Sequence, residues 1–322
     1  MESDREHSAA SLAAGSPPAE SIPRWQLPRG QHARGFVFYT LCIALLFVKP
    51  LARLLLYAAH SDLHSHVLLV PLIVGYLLVR ERRSQPRVYT AAASWAAAFA
   101  AASLLALVAT GAWRESLSLN DELALLAFAF VSLVIAGGFL FLGSAWMAAR
   151  AFPMSFLMFM IPMPDGMRTW LETGSLLGSA RVAEWLFDLT GTPFLREGEM
   201  FSLPGIDLHV ARECSGIHSS WVLFITSLVA AHRMLDSHWR RFVLVAFVIP
   251  LALVRNGLRI TVIALLCVHI GPEMLDSPIH RQGGPLFFAL SLGPLFLLLY
   301  FLYRRENSSR TTGAPKAQIE IR

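Results

Sequence analysis

Four polar side chains stand out against a largely apolar chain: Cys214, Arg255, Arg259 and His280. Cys214 lies in Ala211-Arg212-Glu213-Cys214-Ser215-Gly216-Ile217, just before a stretch that reads as a helix. A thiol attacks only as the thiolate, and the positive end of a helix dipole lowers its pKa. Gly216 lets a substrate backbone come close, while Glu213 opposes the thiolate unless it is paired. Arg255, Asn256 and Arg259 fall in the apolar run from Pro250 to Thr261. Spacings of three and four put Asn256 and Arg255 on the helix face of Arg259. Each arginine in hydrocarbon costs about 2.5–3.5 kcal/mol on insertion scales. Such charges serve either as a buried structural pair or as the lining of a wet cavity, where a guanidinium holds a carbonyl or a developing oxyanion. His280, between Asp276 and Gly284, can carry a proton to and from a thiol near neutral pH. Taken singly, the thiol is an ordinary packing residue and the histidine an ordinary loop residue. Together with Arg259 they supply a nucleophile, a proton carrier and an oxyanion support, a working set for acyl transfer.

Other chemistry fits less well. His60, His64, His66, His209, His218 and His269 also fall near one side of the chain. His64 and His66, two apart, do not share a helix face, and no His-Glu-x-x-His pattern occurs, so neither a metal nor a cofactor is expected. Three cysteines are too few for a disulfide scaffold. The net charge of +5 comes from basic residues placed between apolar blocks. That pattern sets membrane topology and does not call for a nucleic-acid partner.

The elements that must position these groups are membrane helices. Hydrophobic residues make up 55% of the chain and charged residues 15%, with a mean hydropathy of +0.53. A soluble domain carries about 25% charged residues. The reading is an all-α polytopic membrane protein with about eight spans, at 35–58, 64–79, 92–111, 122–142, 151–163, 217–232, 242–268 and 285–303. One further amphipathic helix, over about 168–190, is expected to lie on the outer face. Residues 1–34 and 304–322 read as cytoplasmic tails, the first of them disordered, around a membrane domain over 35–303. With the N-terminus inside, seventeen Lys and Arg fall in inner segments and six in outer ones. This bias places both termini in the cytoplasm and brings Cys214, Arg259 and His280 toward the same outer face. Arg255, one turn deeper, is expected to pair with a carboxylate or a backbone carbonyl, and a lysine is expected to suffice there. A competing reading is a transporter or flippase that binds an anionic substrate through Arg255 and Arg259. The sequence shows no internal repeat, however, and a transporter has no need of Cys214.

In these motifs the chain resembles the exosortase/archaeosortase family. Cys214-Ser215-Gly216-Ile217 resembles that family's Cys-Ser-Gly-Ile segment, and Asn256-Gly257-Leu258-Arg259 its Asn-x-x-Arg element. His280 with Gly284 resembles its His-x-x-x-Gly element. Ser65-His66-Val67-Leu68-Leu69-Val70-Pro71 and Phe159-Met160-Ile161-Pro162-Met163-Pro164 are two supporting matches. The chain departs from the pattern at Arg281, where an acidic residue is common, and at Arg255, where a small one is usual. The resemblance implies a cysteine transpeptidase of a bacterial inner membrane, its active site facing the periplasm. It implies Cys214, Arg259 and His280 as catalytic residues, with Ser215, Gly216, Arg255, Asn256 and Gly284 holding substrate. The implied partners are exported proteins with a C-terminal tail of short motif (often Pro-Glu-Pro), transmembrane helix and basic cluster. Membrane lipids surround the enzyme, and the acceptor is an exopolysaccharide or lipid, with a link to exopolysaccharide and biofilm production.

Overall fold

A computed structural model describes residues 29–61, 63–81, 89–198, 200–209, 216–277 and 284–312. Among these the chain is almost entirely helical. Its helices are α1 (Arg29–Leu46), α2 (Val48–Ala59), α3 (Val70–Arg80), α4 (Ala93–Ala112), α5 (Leu119–Gly137), α6 (Ser144–Ala149), α7 (Ala151–Phe156), α8 (Asp165–Thr190), α9 (Ile217–Met234), α10 (His238–Ala246), α11 (Val248–His269) and α12 (Gly284–Thr312). One small antiparallel sheet interrupts them: β1 (Leu195–Glu197), β2 (Met200–Leu203) and β3 (Ile206–His209), in that order.

Of the eight expected spans, the described residues show four helices long and apolar enough to cross a membrane, within 93–112, 119–142, 238–269 and 284–308, or five with a bent pair. The pair is α1 and α2, which meet at 76°. The expected span at 64–79 is a 3₁₀ turn, Ser65–Leu68, followed by the 11-residue α3. The span at 151–163 is the six-residue α7 and a 3₁₀ turn, Leu157–Met160. The polar residues His218, Ser219, Ser220, Ser227, His232 and Arg233 dilute the hydropathy of α9. The outer limits also move. The first helix begins at Arg29 and the last ends at Thr312, so helix reaches a few residues into each stretch read as a tail.

Polar side chains gather at two opposite ends. At one end Ser118 caps α5 through Asp121 and donates to Asp165 Oδ2 at 2.6 Å. Asn120 donates to the Met163 carbonyl at 2.8 Å and to Asp165 Oδ1 at 2.9 Å, and Asp165 N–H donates to Asp121. This fastens the Pro162-Met163-Pro164 segment to the first turn of α5. Arg168, held to Glu172 at 2.9 Å, follows on α8, and that hydrogen bond raises the guanidinium pKa above its ordinary value. At the other end Glu81 meets His232, Arg150 donates to the Glu81 carbonyl, and Arg240 pairs with Glu306. The Glu306 carboxylate also accepts the backbone N–H groups of Asp236 and Ser237, which tie α12 to the turn before α10. Segments that the charge count assigns to one side thus meet at one end of the molecule.

α8 occupies the stretch expected as an amphipathic helix, but it carries apolar side chains on both faces, one buried and one exposed. Leu176, Ala180, Ala183 and Phe187 are buried against Ile260 and Ala264 of α11 and against Phe201, Leu203 and Leu208 of the sheet. Gly178 and Gly257 allow this approach. A Cβ on Gly178 would stand 2.9 Å from Leu253 Cδ2, and one on Gly257 2.6 Å from Val182 Cγ1. The opposite face exposes Trp170, Leu177, Trp185 and Leu189, the kind of aromatic stripe that settles at a membrane–water boundary.

Candidate active site

The site is built on α11. α10 and α11 form one 32-residue apolar stretch with a break at Phe247, and Pro250 sits in the first turn of α11, where its missing N–H is harmless. α11 runs antiparallel to α9, which places Arg255 level with Gly216, the residue that caps the start of α9. Arg255 therefore lies beside the start of α9. From Arg255, α11 continues fourteen residues to His269, roughly 21 Å at 1.5 Å per residue. This part of α11 packs against α8 and the sheet.

Arg255 is 4% exposed. Its Nη2 donates to the Gly216 carbonyl at 3.1 Å and to Ser220 Oγ at 2.9 Å. Nε and Nη2 both donate to Asn256 Oδ1, at 3.2 and 3.1 Å. No carboxylate among the described residues pairs with it, and Nη1 finds no hydrogen-bond partner among them. The partner of Arg255 is thus a backbone carbonyl, and one guanidinium serves three acceptors. A lysine offers a point charge in place of this fork, so the geometry argues against the expectation that lysine would serve there.

Gly216 is fixed from two directions. Its φ of 61° is left-handed, a conformation that costs other residues roughly 1–2 kcal/mol. A Cβ there would also run into the carboxamide of Asn256. Ser219 and Ser220 both donate to the Gly216 carbonyl, at 3.0 and 2.8 Å. One turn along α11 from Arg255, Arg259 is half-buried. Gly284 is the first residue of α12, and a side chain there would meet no atom within 4 Å among the described residues. Cys214, Ser215 and His280 lie outside the described residues. Of the expected site, the structure brings Gly216, Arg255 and Asn256 into direct contact and sets Arg259 on the same helix.

Two participants have no counterpart in the expected set. Ser220, four residues after Gly216, completes the Arg255 clamp. Trp221 Nε1–H donates to His66 Nε2 at 3.2 Å, while His66 Nδ1–H donates to the Leu63 carbonyl at 3.0 Å. His66 is therefore the neutral Nδ1–H tautomer in this arrangement, and it fastens the 3₁₀ turn before α3 to the second turn of α9. The Ser-His-Val-Leu-Leu-Val-Pro match pointed to this turn. Its partner could not be found from spacing, because His66 and Trp221 are 155 residues apart. His64 has a separate contact, with Ser61 Oγ at 3.0 Å, and among the described residues no group of three or more His, Cys, Asp or Glu is placed to hold a metal.

Neither a curated protein nor a solved structure matches the chain. The profile of the transmembrane exosortases matches residues 57–297. That span runs from the end of α2 into α12 and includes every motif of the site. A multi-pass helical membrane protein whose α9 and α11 are joined through Gly216, Arg255 and Asn256, the chain belongs to the transmembrane exosortase family.

Proposed function

We propose that the chain is a cysteine transpeptidase that cleaves the C-terminal sorting tails of exported proteins and passes the acyl group to an acceptor. Cys214 Sγ attacks the scissile carbonyl carbon. His280 takes the thiol proton and returns it to the leaving amine, and Arg259 holds the oxyanion. The thioester then yields to an acceptor nucleophile, a hydroxyl or amine of an exopolysaccharide or lipid. In this reading Ser215, Gly216, Asn256 and Gly284 shape the substrate groove, and a motif-helix-basic tail of the Pro-Glu-Pro kind brings the scissile bond to it. The enzyme sits in a bacterial inner membrane with both termini in the cytoplasm and the site facing the periplasm.

The observation that carries the proposal is the clamp on Gly216. The residue two positions after Cys214 is held by Arg255 on the same helix that presents Arg259 one turn further on. Arg255 is engaged by protein acceptors, which weighs against its use as an anion-binding group in a transporter. The test is co-expression of a tagged substrate carrying such a tail with wild type or with Cys214→Ala. Loss of tail removal in the variant, with unchanged membrane level, supports the reading. Unchanged processing sinks it.

A further inference from the structure

A second polar site lies away from α11, at the end of the molecule that carries Asn120 and Asp165. Lys49, Pro50 and Arg53 of α2, Leu107, Thr110 and Gly111 of α4, Arg114, and Glu122 of α5 line a cavity of about 310 Å³. Three cations face one carboxylate. Arg53 is bound to Glu122 by a two-pronged pair, Nη1 to Oε1 at 3.2 Å and Nη2 to Oε2 at 3.3 Å. Among the described residues, Lys49 and Arg114 pair with no acid. The cavity therefore keeps an uncompensated positive charge.

Its position names the ligand class. α4 and α5 are apolar enough to cross a membrane, and the cavity opens where α4 ends and α5 begins. α2 departs from α1 at 76°, so with α1 crossing the bilayer α2 runs near the membrane plane. Lys49 and Arg53, four apart, point from one of its faces. Below the cavity, Leu104, Leu107 and Val108 continue the face of α4 that carries Gly111, at 62%, 37% and 59% exposure. Trp113 is exposed beside it, at the depth where aromatic side chains meet headgroups. A cationic pocket directly above an acyl-facing strip matches a lipid with a negative headgroup: the phosphate enters the pocket and the chains lie along α4.

We propose that this cavity binds the phosphate of an anionic membrane lipid and so holds the bent α1–α2 pair against α4 and α5. The site stands apart from the transfer reaction and does not depend on it.

The test uses the full chain, purified in detergent and titrated with phosphatidylglycerol, phosphatidylcholine or inorganic phosphate under native mass spectrometry. Two variants accompany the wild type. Lys49→Gln/Arg114→Gln removes the unpaired charges, and Gly111→Leu fills the cavity at a position where a Cβ meets nothing within 4 Å. All three residues are exposed, so the fold is retained, which gel filtration checks. The expected result is phosphatidylglycerol held roughly thirty-fold more tightly by wild type than by the double variant, from about one unit of surface attraction per cation. Gly111→Leu should weaken it as well, and phosphatidylcholine should bind weakly to all three proteins. Equal retention of the two lipids by wild type overturns the proposal. So does phosphatidylglycerol binding that neither variant reduces, or inorganic phosphate alone displacing the lipid at equal concentration.

Discussion

The side chain of Asn256 fills the space that any side chain on Gly216 would need. Residues forty apart in sequence, one just before the first turn of α9 and one in α11, are thereby fitted so closely that the first must be glycine. Gly216→Ala combines this collision with a left-handed φ. It should cost about 2–5 kcal/mol of stability, the sum of the backbone and overpacking penalties, and reduce processing at least tenfold. Gly216→Ala/Asn256→Ala relieves the collision but not the backbone strain and should recover part of both. Thermal unfolding in detergent and processing rate are the readouts. A wild-type melting temperature for Gly216→Ala would refute the fit.

The two arginines of α11 should fail in different ways. Arg255→Lys leaves acceptors at Gly216, Ser220 and Asn256 incompletely served, so it should lower stability by about 1.5–3 kcal/mol, the scale of a hydrogen bond to a charged group. Arg259→Lys should leave the melting temperature near wild type and cut turnover by about 10²–10³, the usual loss for an oxyanion donor. Normal turnover for Arg259→Lys in a fully folded protein would remove Arg259 from the chemistry.

Among the cysteines only Cys214 should matter for processing. Cys42 is exposed and Cys267 is buried in α11. Cys42→Ala should be silent, and Cys267→Ala should cost roughly 1 kcal/mol for the small cavity it leaves, without loss of tail removal. Alkylation of a Cys42→Ala/Cys267→Ala protein should abolish processing with a single adduct at Cys214. Full activity of the alkylated protein would exclude a thiol nucleophile.

Asn120 is 5% exposed and holds both the Met163 carbonyl and Asp165. Asn120→Leu keeps the volume and deletes both bonds, and should destabilise by about 1–3 kcal/mol. Proteolysis should then appear first near Pro162–Pro164. A variant as protease-resistant as wild type would show that this link does not restrain the segment.

Sidedness is tested by fusion. A reporter active only in the periplasm should work after Gly205 and be silent after Asp236. The reverse pattern would turn the molecule over.

Much of the site was legible because its chemistry is concentrated in short motifs. Arginine in an apolar helix is conspicuous, and Gly216, Arg255 and Asn256, each singled out for its own residue type, lie in direct contact, although spacing gave no sign that they meet one another. Span counting was less secure. The stretch 35–58 is apolar enough to cross, yet it bends by 76° at Phe47, which hydropathy does not register, and Ala151–Met160 is apolar but short. The sheet was passed over because its strands hold three or four residues each. Its signals were present in Pro204-Gly205 and in the alternation that buries Phe201, Leu203 and Leu208.

Glu306 gives the fold a dependence on the order of synthesis. Its carboxylate receives Asp236 N–H, Ser237 N–H and Arg240, so the turn between α9 and α10 is completed by a residue that leaves the ribosome about seventy positions later. While the chain is still being made, that turn must rely on water. A nascent chain stopped at Tyr303 would contain nearly all of α12's apolar length and still lack the group that closes the turn.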